Sequence, residues 1–123
     1  MVGLKRYEEA VPELEIAVHQ NYSSVTLLYL GLIYGAMGEK IRVREVLEKI
    51  EKLVSTHRAG NLDLGVVYMA LGEFDTAFRY FEKVIEKHEG FMVFLKYYIR
   101  YFPEFEQDPR TKKLLEKIGL PYP

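Results

Sequence analysis

Apolar residues along this chain recur at helical rather than strand spacing. From Leu27, the residues Leu30, Gly31 and Tyr34 follow at i+3, i+4 and i+7, which sets them on one face of a helix. Val43, Val46, Leu47 and Ile50 repeat that spacing on a second stretch. Gly38 falls between the two, where a glycine can end the first helix in a left-handed conformation. The pattern predicts a helical hairpin with arms over 24–37 and 40–55. A second hairpin follows, with arms over 58–71 and 74–88 separated by Gly72.

The two hairpins are copies of one unit. A shift of 34 residues superposes Leu30 on Leu64, Gly31 on Gly65, Tyr34 on Tyr68, Gly38 on Gly72 and Glu39 on Glu73. Glu48 and Lys49 then meet Glu82 and Lys83, while Val43, Leu47 and Ile50 meet Ala77, Phe81 and Val84. The later unit, with Leu64-Gly65, Tyr68, Gly72, Ala77 and Phe81, resembles the tetratricopeptide repeat. The earlier one carries Val43 and Leu47 where that family has a small and an aromatic residue. Both lack its leading tryptophan, with Leu27 and Asn61 there instead, and its closing proline. The resemblance spans about residues 4–102. It implies an all-α, tetratricopeptide-type solenoid of helical hairpins, a right-handed superhelix with C-terminal capping helices.

Residues 4–22 read as half a repeat. Ala10, Leu14 and Ala17 align with Val43, Leu47 and Ile50 of a second helix, and the matching first helix would precede Met1. The pattern therefore predicts a fragment of a longer array. Pro12 suits it if placed in a first helical turn, where its missing N–H is harmless. Repeats are expected over 24–56 and 58–89, within a single domain of 123 residues. Beyond them Phe91, Phe94, Tyr97, Tyr98, Tyr101 and Phe102 predict a capping helix over 90–102, stopped by Pro103. Asp108-Pro109 is a capping residue followed by a proline suited to the first helical position, so a last helix is expected over 108–119. That tail is similar to those closing such arrays in multidomain bacterial regulators.

Composition narrows the chemistry. The net charge of -1 offers no global attraction for nucleic acid or an anionic membrane, and the small basic clusters Lys40-Arg42-Arg44 and Arg110-Lys112-Lys113-Lys117 are balanced by glutamates. The absence of cysteine excludes disulfides, thiolate metal sites and cysteine nucleophiles. The apolar run from Val25 to Met37 is shorter than the roughly 20 residues a membrane span needs, so no membrane contact is expected. Lys5, Arg6, Glu8, Glu9 and Glu13 break up any signal-peptide core, and a cytoplasmic location is expected.

No catalytic or metal site and no cofactor is expected. His19, His57 and His88 each fall near the end of a second helix, where an imidazole meets unpaired carbonyls, and no two have metal-ligand spacing. The glutamate clusters interleave with lysine and arginine as solvated helix faces do. Gly31, Gly35 and Gly38 lack the Lys-Ser/Thr of a phosphate loop.

In the architecture the resemblance implies, first helices line a concave surface. Val25, Leu28, Leu32 and Gly35 would face it from one unit, with Ala59, Leu62, Val66, Met69 and Ala70 from the next. The Lys, Asn and Arg residues with which some family members clamp a terminal carboxylate are absent from these positions. An apolar groove of this kind fits a partner's amphipathic helix, so the expected function is protein–protein interaction with an unidentified protein or peptide segment. The chain's own aromatic C-terminal helices are a competing cover. A structural linker or a self-assembling segment of a larger regulator is the alternative role. Val11, Leu14 and Val18, beside the face left bare on the first helix, predict a homodimer.

Overall fold

The computed structural model describes residues 4–87 and 95–119. Its elements are α1 (Leu4–Gln20), α2 (Ser24–Ala36), α3 (Lys40–Ser55), α4 (Asn61–Ala70) and α5 (Phe74–Glu86). Then come α6 (Leu95–Tyr98), a 3-10 turn (Ile99–Tyr101), α7 (Pro103–Glu106) and α8 (Pro109–Lys117), with no strand among the described residues. The fold is all-α, of the tetratricopeptide helical-repeat type. The pairs α2–α3 and α4–α5 are the two hairpins. Neighbours in sequence pack together, and the first helices α2 and α4 also touch.

Local chemistry explains the ends of the helices. Ser23 caps α2, its Oγ accepting from Thr26 N–H while Thr26 Oγ1 accepts from Ser23 N–H. Each first helix then closes on a left-handed glycine: Gly38 at φ 78° and Gly72 at φ 82°. The next residue donates backward in both, Glu39 N–H to Tyr34 C=O and Glu73 N–H to Tyr68 C=O, so orphan carbonyls are satisfied identically in the two repeats.

Glycine also sets the spacing of helices. A Cβ on Gly31 would lie 3.2 Å from Val46, and one on Gly65 would lie 2.5 Å from the Phe81 ring. The Leu-Gly pair of each unit thus lets its second helix approach. Phe81 is fully buried there, while the half-buried Tyr68 stacks on Tyr80 with centroids 5.6 Å apart.

Four local expectations need correction. Helix α4 starts at Asn61 rather than 58, because Gly60 is its N-cap and Asp63 Oδ2 accepts the Gly60 N–H at 3.0 Å. Pro12 lies well inside α1, not in its first turn. Tyr7, buried one to two turns upstream, keeps the helix docked there, and Pro12 itself faces solvent. His57 is not a helix-end donor in the expected sense. Its own backbone takes the left-handed role at φ 60°, with Arg58 N–H closing on Leu53 C=O.

The fourth concerns the expected capping helix. Its first part, 90–94, lies outside the described residues, as does His88. The rest is one short turn of α-helix followed by a 3-10 turn, and Pro103 begins α7 rather than merely ending a helix. Proline favours that first position because its missing N–H is not needed there.

The C-terminal elements close the far side of the repeats. Phe105 of α7 is wholly buried, stacked on Phe78 at 4.6 Å and edge-on to Phe74 and Phe81 at 5.1 and 6.0 Å. The buried Thr111 hydroxyl donates to Phe105 C=O, which fixes α7 against α8. Arg110 pairs with Asp75 at 2.7 Å, and Lys117 with Glu82 at 3.0 Å. Both pairs span 35 residues, so α8 runs parallel to α5, one residue more than the 34-residue repeat on in register.

Candidate partner-binding groove

Most of the expected groove residues are buried or half-buried. Leu32 and Val66 are each 1% exposed and Met69 is 0% exposed, with Leu28 also buried. Leu62 is half-buried. Gly35 is closed off by α4, since a Cβ there would sit 2.8 Å from both the Cβ and the carbonyl oxygen of Ala70. Leu28, Leu32, Gly35, Leu62, Val66 and Met69 are therefore not an open surface, as the expectation had them.

The cover comes from the chain itself. Leu95 and Ile99, both 0% exposed, belong to the same buried cluster as Leu32, Val66 and Met69, and the 3-10 turn packs directly on α2. Tyr98 meets Tyr29 of α2 edge-on, with centroids 5.9 Å apart and planes at 80°. Tyr101 lies 6.3 Å from the buried Tyr7 of α1. Segment 95–101 is thus a strap that meets α2 through Tyr98 and the 3-10 turn, and α1 through Tyr101. It is amphipathic, with Leu95 and Ile99 inward at i and i+4, and Tyr97 and Arg100 outward.

One polar side chain that meets the strap, Tyr29, was not anticipated from the sequence. Tyr29 and Asp63 occupy the same position in successive repeats, 34 residues apart, and Tyr29 lies against Tyr98. Burial chiefly, then the neighbouring Tyr29 and the negative Asp63, push the Tyr98 phenol up to about 12. Burial likewise raises the Asp63 carboxyl, against the opposing effect of its bond from Gly60 N–H. The 34-residue offset marks the equivalence of the two positions but carries no information about what packs on them.

The groove's end is not wholly covered. Val25 is 58% exposed, and Tyr22, Tyr29 and Tyr97 also stand substantially open. Of the proposed self-association residues, Val11, Leu14 and Val18 are each half-buried against the core. Ala10, Leu14 and Ala17 are only half-buried, whereas their repeat equivalents Val43, Leu47, Ile50, Ala77, Phe81 and Val84 are buried. Glu13 occupies the position of buried Val46 and half-buried Tyr80, and is exposed.

The remaining concavities are charged and open. One of about 630 Å³ lies between α5 and α8 and is bridged by the two ion pairs described above. Among the described residues no cluster of three or more histidines and carboxylates could hold a metal, and no helix is long and apolar enough to cross a membrane.

Comparison with known families places the tetratricopeptide repeat on residues 61–90, which take in α4 and α5. That family generally serves as a non-catalytic module for protein–protein interaction. Neither the curated proteins nor the solved structures gave a match. The matched unit is the one with the fullest motif, and α2–α3 repeats its geometry around Gly38 and Gly31.

Proposed function

We propose that this chain is a protein–protein interaction module whose α2–α4 face holds an apolar or amphipathic helical segment. The observation that carries this reading is the strap: a helical stretch whose 3-10 turn packs on α2 and whose Leu95 and Ile99 are buried in the core that Leu32, Val66 and Met69 share. It is an example, in cis, of the ligand chemistry the face accepts, and a partner segment in trans would replace it. Helix-in-groove recognition uses this spacing of apolar anchors.

A tethered occupant competes at an effective concentration in the millimolar range, so partner binding to the intact chain is weak until the strap is loosened. The test is a titration of a labelled peptide with the sequence of residues 91–107, read by fluorescence polarisation. Ile99→Ala in the full chain should bind it at least tenfold more tightly than the parent chain does. A peptide that binds neither chain would refute the reading.

A second reading, self-association, is favoured by the α1 stripe. Its residues are only half covered where their equivalents in both complete units are buried. A second copy laid against α1 would complete that cover, with the exposed Glu9 and Glu13 beside the contact.

A further inference from the structure

The contact between α5 and α8 is a ladder of ion pairs with its middle rung missing. Arg110 pairs with Asp75 at 2.7 Å and Lys117 with Glu82 at 3.0 Å, at one constant offset of 35 residues. The same offset sets Lys113, between those two cations on one face of α8, opposite Phe78 rather than a carboxylate. The Phe78 ring is itself taken by Arg110, whose guanidinium carbon lies 4.4 Å from the centroid. Lys113 and Arg79 are exposed in the lining of this groove, and neither makes an ion pair among the described residues. Arg79 donates instead to the Thr76 hydroxyl at 3.3 Å. Lys83, over the Tyr80 ring at 4.9 Å, adds a further charge, and Glu86 is the one lining carboxylate outside the two pairs. The geometry points to a second docking surface: the α5–α8 groove takes an extended, acidic segment of a protein partner, whose carboxylates reach Lys113 and Arg79 between the two intact rungs.

Charge and length together choose this occupant. The two rungs stand seven residues apart, about 10 Å along the helices, which about three residues of extended chain span. The cavity between them, about 630 Å³, has room for their side chains. A carboxylate over the middle rung meets two cations that hold no intramolecular carboxylate, so docking breaks no ion pair. A basic segment would meet like charge. Asp75, Glu82 and Glu86 interrupt the positive strip, which suits discrete carboxylates and opposes a continuous phosphate backbone. This surface belongs to a second helix and α8, apart from the α2–α4 face, and stands independently of the reading given for that face.

Fluorescence polarisation of labelled hexaglutamate against the full chain tests it, with hexalysine and an oligothymidylate as comparison probes. The expected result is saturable binding of hexaglutamate and none of hexalysine. Arg79→Gln with Lys113→Gln should weaken it about fivefold, as the loss of two exposed charge pairs implies. Lys49→Gln with Lys52→Gln removes the same charge from α3 and should weaken it less than twofold. Equal weakening by the two double substitutions, or no saturable binding of hexaglutamate, overturns the surface. Tighter binding of the oligothymidylate than of hexaglutamate assigns the groove to nucleic acid and overturns the acidic segment as its occupant. Should Arg79→Gln with Lys113→Gln fail to fold by circular dichroism, amide shifts of the parent chain titrated with hexaglutamate decide: shifts concentrated in α5 and α8 support the surface, and shifts spread equally over α3 overturn it.

Discussion

Replacing Phe105 with alanine removes the side chain that joins α7 to α5. The ring is 0% exposed and touches Phe74, Phe78 and Phe81, all within a centroid distance of 6.0 Å. Burying an aromatic ring withdraws about 150–250 Å² from water, which at about 25 cal/mol per Å² corresponds to roughly 4–6 kcal/mol. Alanine retains a small part of that area, and neighbours relax partly into the cavity, so the expected loss is about 3–5 kcal/mol. A domain's total stability is commonly about 5–15 kcal/mol, so the variant should melt about 10–20 °C lower. Urea denaturation followed by circular dichroism measures the loss directly. An unchanged slope with a lower midpoint would show that α7 and α8 unfold with the repeats. A loss below about 1 kcal/mol would mean that the Phe105 cluster does not hold the C-terminal elements, and the account of the fold's closure would be wrong.

Gly35→Ala should destabilise by about 1–2 kcal/mol despite a helix-propensity gain of about 1 kcal/mol, because the new Cβ meets Ala70 backbone at 2.8 Å; a rise in melting temperature would contradict the close α2–α4 approach. Burial raises Tyr7, Tyr34, Tyr68 and Tyr98, the last to about 12, so folding favours the neutral phenol. That contribution is whole below the unfolded value of 10.0 and is lost as pH climbs through the folded values, so helicity should fall between about pH 10 and 12 together with a late rise in tyrosinate absorbance. Complete tyrosinate absorbance before any helix loss would contradict the burial. Sedimentation equilibrium at micromolar concentration should give a mass near twice 14.4 kDa, more so at high salt, which screens Glu9 and Glu13; Leu14→Glu should return it to monomer, and a parent chain that stays monomeric would end the self-association reading.

The repeat architecture was legible because it is written redundantly. Leu30-Gly31, Tyr34 and Gly38 recur as Leu64-Gly65, Tyr68 and Gly72, and each residue has a job that its side chain or its lack of one makes visible. Glycines at 38 and 72 mark left-handed stops, and those at 31 and 65 mark close approach. The chain after α5 was harder to read. Its aromatic run matches a helical face, yet no repeat copy pins its boundaries, and proline at 103 is compatible with either ending one helix or starting another. Tertiary packing decides: Phe105 must reach the Phe74–Phe78–Phe81 cluster, which requires the chain to turn at Phe102 and begin again. His57 hid for a related reason, since a left-handed cap without glycine leaves little trace in sequence.

The groove positions were legible as apolar, but not as covered. Sequence periodicity tells which face of α2 and α4 needs burial; it carries no information about which segment supplies it, because a strap in cis and a partner in trans satisfy the same stripe. A purely aliphatic interface at Leu32, Val66 and Met69 accepts any segment of suitable volume, since dispersion and burial are non-directional. A segment in trans would have to displace Leu95 and Ile99, so on the proposed reading a substitution at either should loosen the strap and raise the affinity of the face for such a segment.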